Sequence, residues 1–182
     1  MTLPTLATID DYVARHGSGD LDRLPQLLED ASSFIRQEAG QTISLVEDDI
    51  VVLEGQCSRS LTLPQWPVVA VSSVEVDDAV ADTSTYRLDG GLLVRRLGHG
   101  VWPRCEIEVT YDHGYAEIPA WIVSMVCSTV QRALRPTSAL GIQQQTTGSQ
   151  SVSYASSAAG VNLWLTRDEA ARLRAIGPPM VA

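Results

Sequence analysis

Chemistry needs a nucleophile, a base or a set of metal ligands within reach of one another, and few residues of this 182-residue chain qualify. Its three histidines, His16, His99 and His113, lie far apart and stand in no ligand motif. Cys105 and His113 are the nearest thiol and imidazole, the combination that nucleophilic catalysis would use. The alternating stretch between them reads as one β-strand. It places them at its two ends, roughly 25 Å apart at about 3.3 Å per residue. Cys57, Cys105, His99 and His113 show no paired spacing of the kind that builds a zinc site. Gly90-Gly91 belongs to a hairpin signal, and a phosphate loop of the Gly-x4-Gly-Lys-Ser/Thr type is excluded because all 13 basic residues are arginine. Glu47-Asp48-Asp49 and Asp77-Asp78 lack the spaced oxygens of a calcium loop and read as solvated turns. No catalytic residue, cofactor or metal site is therefore expected, and assembly or binding is the role left to consider.

The elements around these residues centre on Val109–Leu134, VTYDHGYAEIPAWIVSMVCSTVQRAL. Val109 and Tyr111 alternate with Thr110 and Asp112, as in a strand with one buried face. Gly114 suits a left-handed turn, and His113 reads as a turn residue bonding locally. Pro119 fits the first turn of a helix, and Pro136 stops that helix. Ile122, Met125, Val126, Thr129, Val130 and Ala133 recur at helical spacing, with Trp121, Val123 and Cys127 widening the apolar surface. Such a helix belongs at the centre of a core or between subunits.

Upstream, Thr8 caps a short helix with acids in its first turn. A second helix is expected from Asp20 to about Ala39, carrying Leu21, Leu24, Leu28, Ala31 and Ile35, with Pro25 either kinking it or moving its start. From Thr42 to Tyr111 the pattern is β. Ile50–Leu53, Ser58–Leu63, Val69–Val76 (irregular at Ser72-Ser73), Tyr86–Leu88, Leu92–Arg95 and Glu106–Tyr111 read as short strands. Asp89-Gly90-Gly91 marks a hairpin. Together these predict an α+β fold. It is a small helical bundle of two N-terminal helices, a central apolar helix and a C-terminal helix, with an inserted antiparallel β-rich region at about 42–111. Residues 1–135 form the core. Residues 136–182 form an extended polar arm and a docking helix.

That arm, Thr137–Gly160, is rich in Ser, Thr, Gln, Ala and Gly. Val152 and Tyr154 alternate with serine, so the arm can become a strand where an edge is offered. Thr166-Arg-Asp-Glu169 is a capping box for a last, short helix that is marginal alone and must dock on something. Trp66 and Trp121 read as core anchors, and Trp164 as the tryptophan that meets a partner.

The net charge of −9 is uneven. Residues 1–130 hold 8 Arg against 20 acids, and residues 131–182 hold 5 Arg against 2. The first part repels nucleic-acid phosphates. The second, including Arg167, Arg172 and Arg174 beside Leu165, suits an acidic partner surface, such as another copy's first part. Three separated cysteines form no disulfide framework. No apolar run approaches the roughly 18–20 residues of a membrane span, and MTLPTLATIDD lacks the basic start of a signal peptide.

The strand ending VTYDHGY, the link to IPAWI and the apolar helix after it resemble the head-to-tail connector, or adaptor, proteins of long-tailed bacteriophages. LPQWPVVAVSSVEV (Leu63–Val76), YRLDGGLLVRR (Tyr86–Arg96) and LTRDEAARLR (Leu165–Arg174) agree in order, so the resemblance spans roughly Leu21 to Arg174. It implies a structural virion protein, one subunit of a ring, usually of twelve copies, beneath the portal at the head–tail junction. The ring extends the DNA channel and docks neck or tail completion proteins. Genomic DNA passes without sequence-specific binding, no membrane is involved, and assembly takes place in the host cytoplasm. Portal and neighbour contacts then fall in Thr137–Arg174, which holds Val152, Tyr154, Trp164, Leu165, Arg167, Arg172 and Arg174. The acidic β-rich part faces the neck or the channel wall. A head-closure or tail-terminator subunit is the alternative within the same particle, and a small soluble enzyme the alternative outside it.

Overall fold

The computed structural model describes residues 3–18, 22–134, 144–147, 150–153 and 163–177. Its helices and antiparallel sheets make the fold class α+β. The chain forms two compact units, Thr5–Phe34 with Ala120–Arg167, and Met1–Pro4 with Ile35–Pro119 and Asp168–Ala182.

The first of these is mainly helical. Helix α1 (Ile9–His16) starts at the predicted Thr8, whose hydroxyl accepts from the Asp11 N–H while the Asp11 carboxylate accepts from the Thr8 N–H. Two otherwise orphaned backbone donors are thus satisfied reciprocally. Helix α2 (Leu24–Ala39) begins next to Pro25, so proline marks its first turn and no kink is needed. Asp20 and Leu21 lie outside the described residues. Leu24, Leu27, Leu28 and Ala31 form the buried stripe of its first half. The Leu6 N–H donates to the Ser32 hydroxyl, which donates in turn to the Leu28 carbonyl.

The apolar segment after Pro119 forms its expected helix, α3 when the helices are counted in chain order (Ala120–Leu134). It buries Ile122, Val123, Met125, Val126, Cys127, Thr129 and Val130. Burial raises the Cys127 thiol pKa, so this cysteine behaves as a small apolar core residue. The Tyr12 hydroxyl of α1 donates to the Gln131 side chain of α3, tying the two helices together at a polar point.

The second unit is mainly β. Its strands are β1 (Val46–Glu54), β2 (Ser60–Thr62), β3 (Val68–Val76), β4 (Ala79–Val80), β5 (Tyr86–Asp89), β6 (Leu92–Arg95) and β7 (Glu106–His113). They form two antiparallel sheets, ordered β1-β7-β3-β4 and β2-β6-β5. The hairpin at Asp89-Gly90-Gly91 is present, with Asp89 opposite Leu92. The irregularity read at Ser72-Ser73 is a register shift in β3 against β7. Leu61, Leu93, Tyr86 and Trp102 from one side meet Val74, Ile107, Val109 and Tyr111 from the other in a single core. The inner faces of the two sheets therefore pack on each other, as in a small sandwich.

Gly114 closes β7 with φ +92°, which the sequence pattern anticipated. It also serves a second purpose. A Cβ here would lie 2.3 Å from the Ser44 carbonyl oxygen. Only glycine lets Ser44 and Tyr115 approach, with the Tyr115 N–H donating to Ile43 and the Leu45 N–H to Tyr115.

In the polar arm, Gln144–Thr147 (β8) pairs antiparallel with Gln150–Ser153 (β9). The arm was expected to become a strand on an edge offered from elsewhere. Among the described residues these two segments of the arm pair with each other, each offering the other its edge. The last helix, α4, spans Arg167–Arg174, directly after Thr166.

Candidate functional site

Cys105 precedes β7 and His113 ends it, so the strand separates the two groups as the sequence reading required. His113 is not a locally bonded turn residue. Its ring is 1% exposed, with Nε2 3.0 Å from the Asp49 carboxylate and Nδ1 3.3 Å from the Thr42 hydroxyl. Antiparallel pairing of β1 with β7 brings Asp49 there from 64 residues away, a proximity that no local pattern encodes. Hydroxyl, imidazole and carboxylate in line resemble a nucleophile, base and orienting acid. The enclosed ring, however, has no free nitrogen to offer a substrate, since both already have partners. The arrangement pins the start of β1 to the end of β7. Among the described residues no three His, Cys, Asp or Glu side chains gather as metal ligands, and no described helix is long and apolar enough to cross a membrane.

The tryptophans divide differently from the reading of the sequence. Trp102 is the core anchor, 0% exposed, donating its indole N–H to the Leu93 carbonyl at 2.9 Å. Trp121 is 36% exposed, on the open side of α3. Helical spacing identified the buried stripe but not where that stripe ends. Trp66 is half-buried, with its indole on the Leu63 carbonyl and its ring against Gly91.

Of the residues expected to meet a partner, Trp164 is 49% exposed. The Arg132 guanidinium lies over its ring at 4.7 Å and donates to its carbonyl at 3.1 Å. The ring is thus held by Arg132 while the residue stays half exposed, an aromatic side chain of the kind that anchors interfaces. Leu165 is half-buried, and Arg167, Arg172 and Arg174 are exposed on α4. Leu173 is fully buried, so this short helix is anchored within its own chain. Val152 sits in β9 opposite Gln145. Tyr154 lies outside the described residues.

Two charged surfaces in the β unit went unmarked in the sequence. Arg59, Arg87, Arg95 and Arg96 line one open cleft of about 620 Å³ with Val94 and Leu97. The β2–β6–β5 register brings them together, placing Ser60 and Arg87 on either side of Val94. Arg59 donates to the Arg95 carbonyl at 2.9 Å, and Arg96 donates to the Tyr86 carbonyl at 3.1 Å. Arg95 donates to the Thr85 hydroxyl at 3.0 Å and stacks over Trp102 at 4.1 Å. Arg87 pairs with Asp89. Among the described residues no carboxylate pairs with Arg59, Arg95 or Arg96.

The second surface is acidic. Glu75, Asp77, Asp78, Glu106 and Glu108 line one depression beside Val52. Glu108 stands directly opposite Glu75 on one side and Val52 on the other, and Glu106 stands opposite Glu54. Glu106 and Glu108 alternate with buried Ile107 and Val109, so they occupy the outer face of their sheet.

With this geometry in view, comparison with solved structures is informative. The fold resembles that of particle neck proteins. A chain from the neck of an empty GTA particle computed with C6 symmetry aligns over 96% of this chain and 92% of its own, at 15% identity and a TM-score of 0.55. A chain from the neck of a native GTA particle computed with C12 symmetry aligns over 96% of this chain and 95% of its own, at 17% identity and a TM-score of 0.50. No protein-family model matches the sequence, and no curated protein is similar to it. What these neck chains share with this one is therefore the fold, over almost the whole length of each.

Proposed function

We propose that this chain is a structural virion protein of the bacteriophage neck, a head-to-tail connector and not an enzyme. Copies form a ring, most simply of twelve, that joins the portal of the head to the neck or tail completion proteins and extends the DNA channel. Residues 136–182 act as the arm and docking helix. Val152, Tyr154, Trp164, Leu165, Arg167, Arg172 and Arg174 make the portal and neighbour contacts. Genomic DNA slides past a chain of net charge −9 without sequence-specific binding.

The observation that carries this reading is the likeness over 96% of the chain to two chains from symmetric necks, one computed with C6 and one with C12 symmetry. The connector-like order of VTYDHGY, IPAWI and LTRDEAARLR supports it independently. Trp164, held by Arg132 and half exposed, suits an anchor that becomes buried on assembly. Depletion tests the reading. Particles made without this chain should accumulate as heads and tails that do not join, with joining restored when the chain is supplied. Normal joining in its absence contradicts the reading.

A further inference from the structure

The β unit is electrically polarised, and folding alone does not account for it. Its two sheets bury their inner faces in one core, so the surfaces they leave outside point away from each other. The β2-β6-β5 sheet gathers four of the eight arginines of residues 1–130 around one cleft, with Arg87 beside Val94 on its outer face and Arg95, opposite Tyr86, over Trp102 at the edge of the core. Three of these guanidiniums are held by backbone or hydroxyl acceptors and matched by no carboxylate. A guanidinium has five N–H donors, so each retains donors beyond those used inside the chain.

The β1-β7-β3 side does the reverse. It sets Glu108 opposite Glu75 and Glu106 opposite Glu54, two like-charge cross-strand pairs. Such pairs destabilise the sheet that carries them, and among the described residues no arginine relieves them. A cationic partner would.

We propose that the arginine cleft of one copy receives the Glu75/Glu106/Glu108 face of the next. The two patches differ, so the contact is heterologous, and each copy keeps one unused face of either sign for a further neighbour. Repetition of such a contact closes into a ring or runs on as a filament. Closure into a ring rests on the neck reading above, whereas the pairing itself rests only on the two faces. It puts the acidic row of β7 at the joint between subunits and not on the channel wall. The competing occupant of the cleft is the phosphate backbone of DNA, whose oxygens arginine recognises in the same way.

The test is sedimentation velocity of the purified full chain, up to about millimolar, at roughly 0.05 M and 0.5 M salt, since exposed charge pairs are screened within a few ångströms at the higher value. The wild-type chain should self-associate at low salt, with its apparent dissociation constant raised about tenfold or more at high salt. Arg59→Glu/Arg96→Glu and Glu75→Arg/Glu108→Arg should each be monomeric alone and should associate when mixed. Arg87→Glu, at an exposed strand position, serves should the first variant not fold. Glu108→Arg alone should stabilise the monomer to urea while weakening association, a split that a merely structural role would not produce.

A wild-type chain that stays monomeric throughout overturns the pairing, as does a mixture of the reversed variants that fails to associate. Retention of short duplex DNA by the wild type, lost in Arg59→Glu/Arg96→Glu, overturns it in favour of phosphate. Rings on a portal that survive both reversals overturn the pairing and leave the neck reading standing. Salt-sensitive open chains that never add to a portal uphold the pairing and count against the neck reading.

Discussion

Replacing Gly114 by alanine isolates the close approach at the heart of the VTYDHGY turn from the simpler matter of its backbone angle. Gly40, at the end of α2, is the control. It also has a positive φ, +63°, but nothing lies within 4 Å of where its Cβ would stand. Gly40→Ala should therefore cost only the left-handed backbone term, about 1–2 kcal/mol. Gly114→Ala carries that term at φ +92° and also drives a Cβ to 2.3 Å from the Ser44 carbonyl oxygen and 2.9 Å from that of Ile43. Both atoms are backbone, so no side chain can swing aside. The bridge must open, at the expense of the bonds from Tyr115 N–H to Ile43 and from Leu45 N–H to Tyr115. At about 1 kcal/mol each, the total for Gly114→Ala is about 3–4 kcal/mol. Urea unfolding followed by tryptophan emission gives both values. A difference between the two variants below about 1 kcal/mol would refute the close approach.

Three further outcomes follow from individual side chains. Trp102→Ala should destabilise by about 3–5 kcal/mol, and Trp102→Phe by about 1–3 kcal/mol because the Leu93 carbonyl loses its donor; the same urea series reads both. Burial pushes the Tyr111 phenol up to about 12, and its buried hydroxyl completes no hydrogen bond. The folded state thus favours the neutral phenol. That stability is whole below pH 10 and falls towards pH 12 by about 1.4 kcal/mol per pH unit. Tyr111→Phe should reduce that alkaline slope by about one proton and leave stability at pH 7 unchanged or higher. Trp164→Ala should cost no more than about 1 kcal/mol, the scale of its stacking with Arg132, yet should lower incorporation into assembled necks; unchanged incorporation would remove Trp164 from the contact set.

What was legible in the sequence was local. The Thr8 cap, the Asp89-Gly90-Gly91 hairpin, the β7 alternation and the stripe of α3 each depend on neighbours a few residues away, and each is present. Strand order was not legible. β7 follows every other strand of its sheet in the chain, yet it lies between β1 and β3, so the partners of His113 and Glu108 come from far upstream. The charged faces stayed hidden for the same reason. Arg59 meets Arg95 only through the β2–β6 register, and Glu75 meets Glu108 only through that of β3 and β7. Trp121, read as a core anchor, is exposed and Trp102, given no role, is buried, because both sit near a proline and proximity to proline carries no information about burial. Trp102 is buried because its loop folds back to let the indole bond Leu93 and the ring receive Arg95.

The most direct measurement is electron microscopy of this chain co-expressed with the portal protein of the same particle, because the portal is the surface on which the proposed ring would stack. The neck reading predicts a ring of added density stacked on the narrow end of the portal, with the segment around Trp164 at a joint. Bare portals beside free monomer would contradict it.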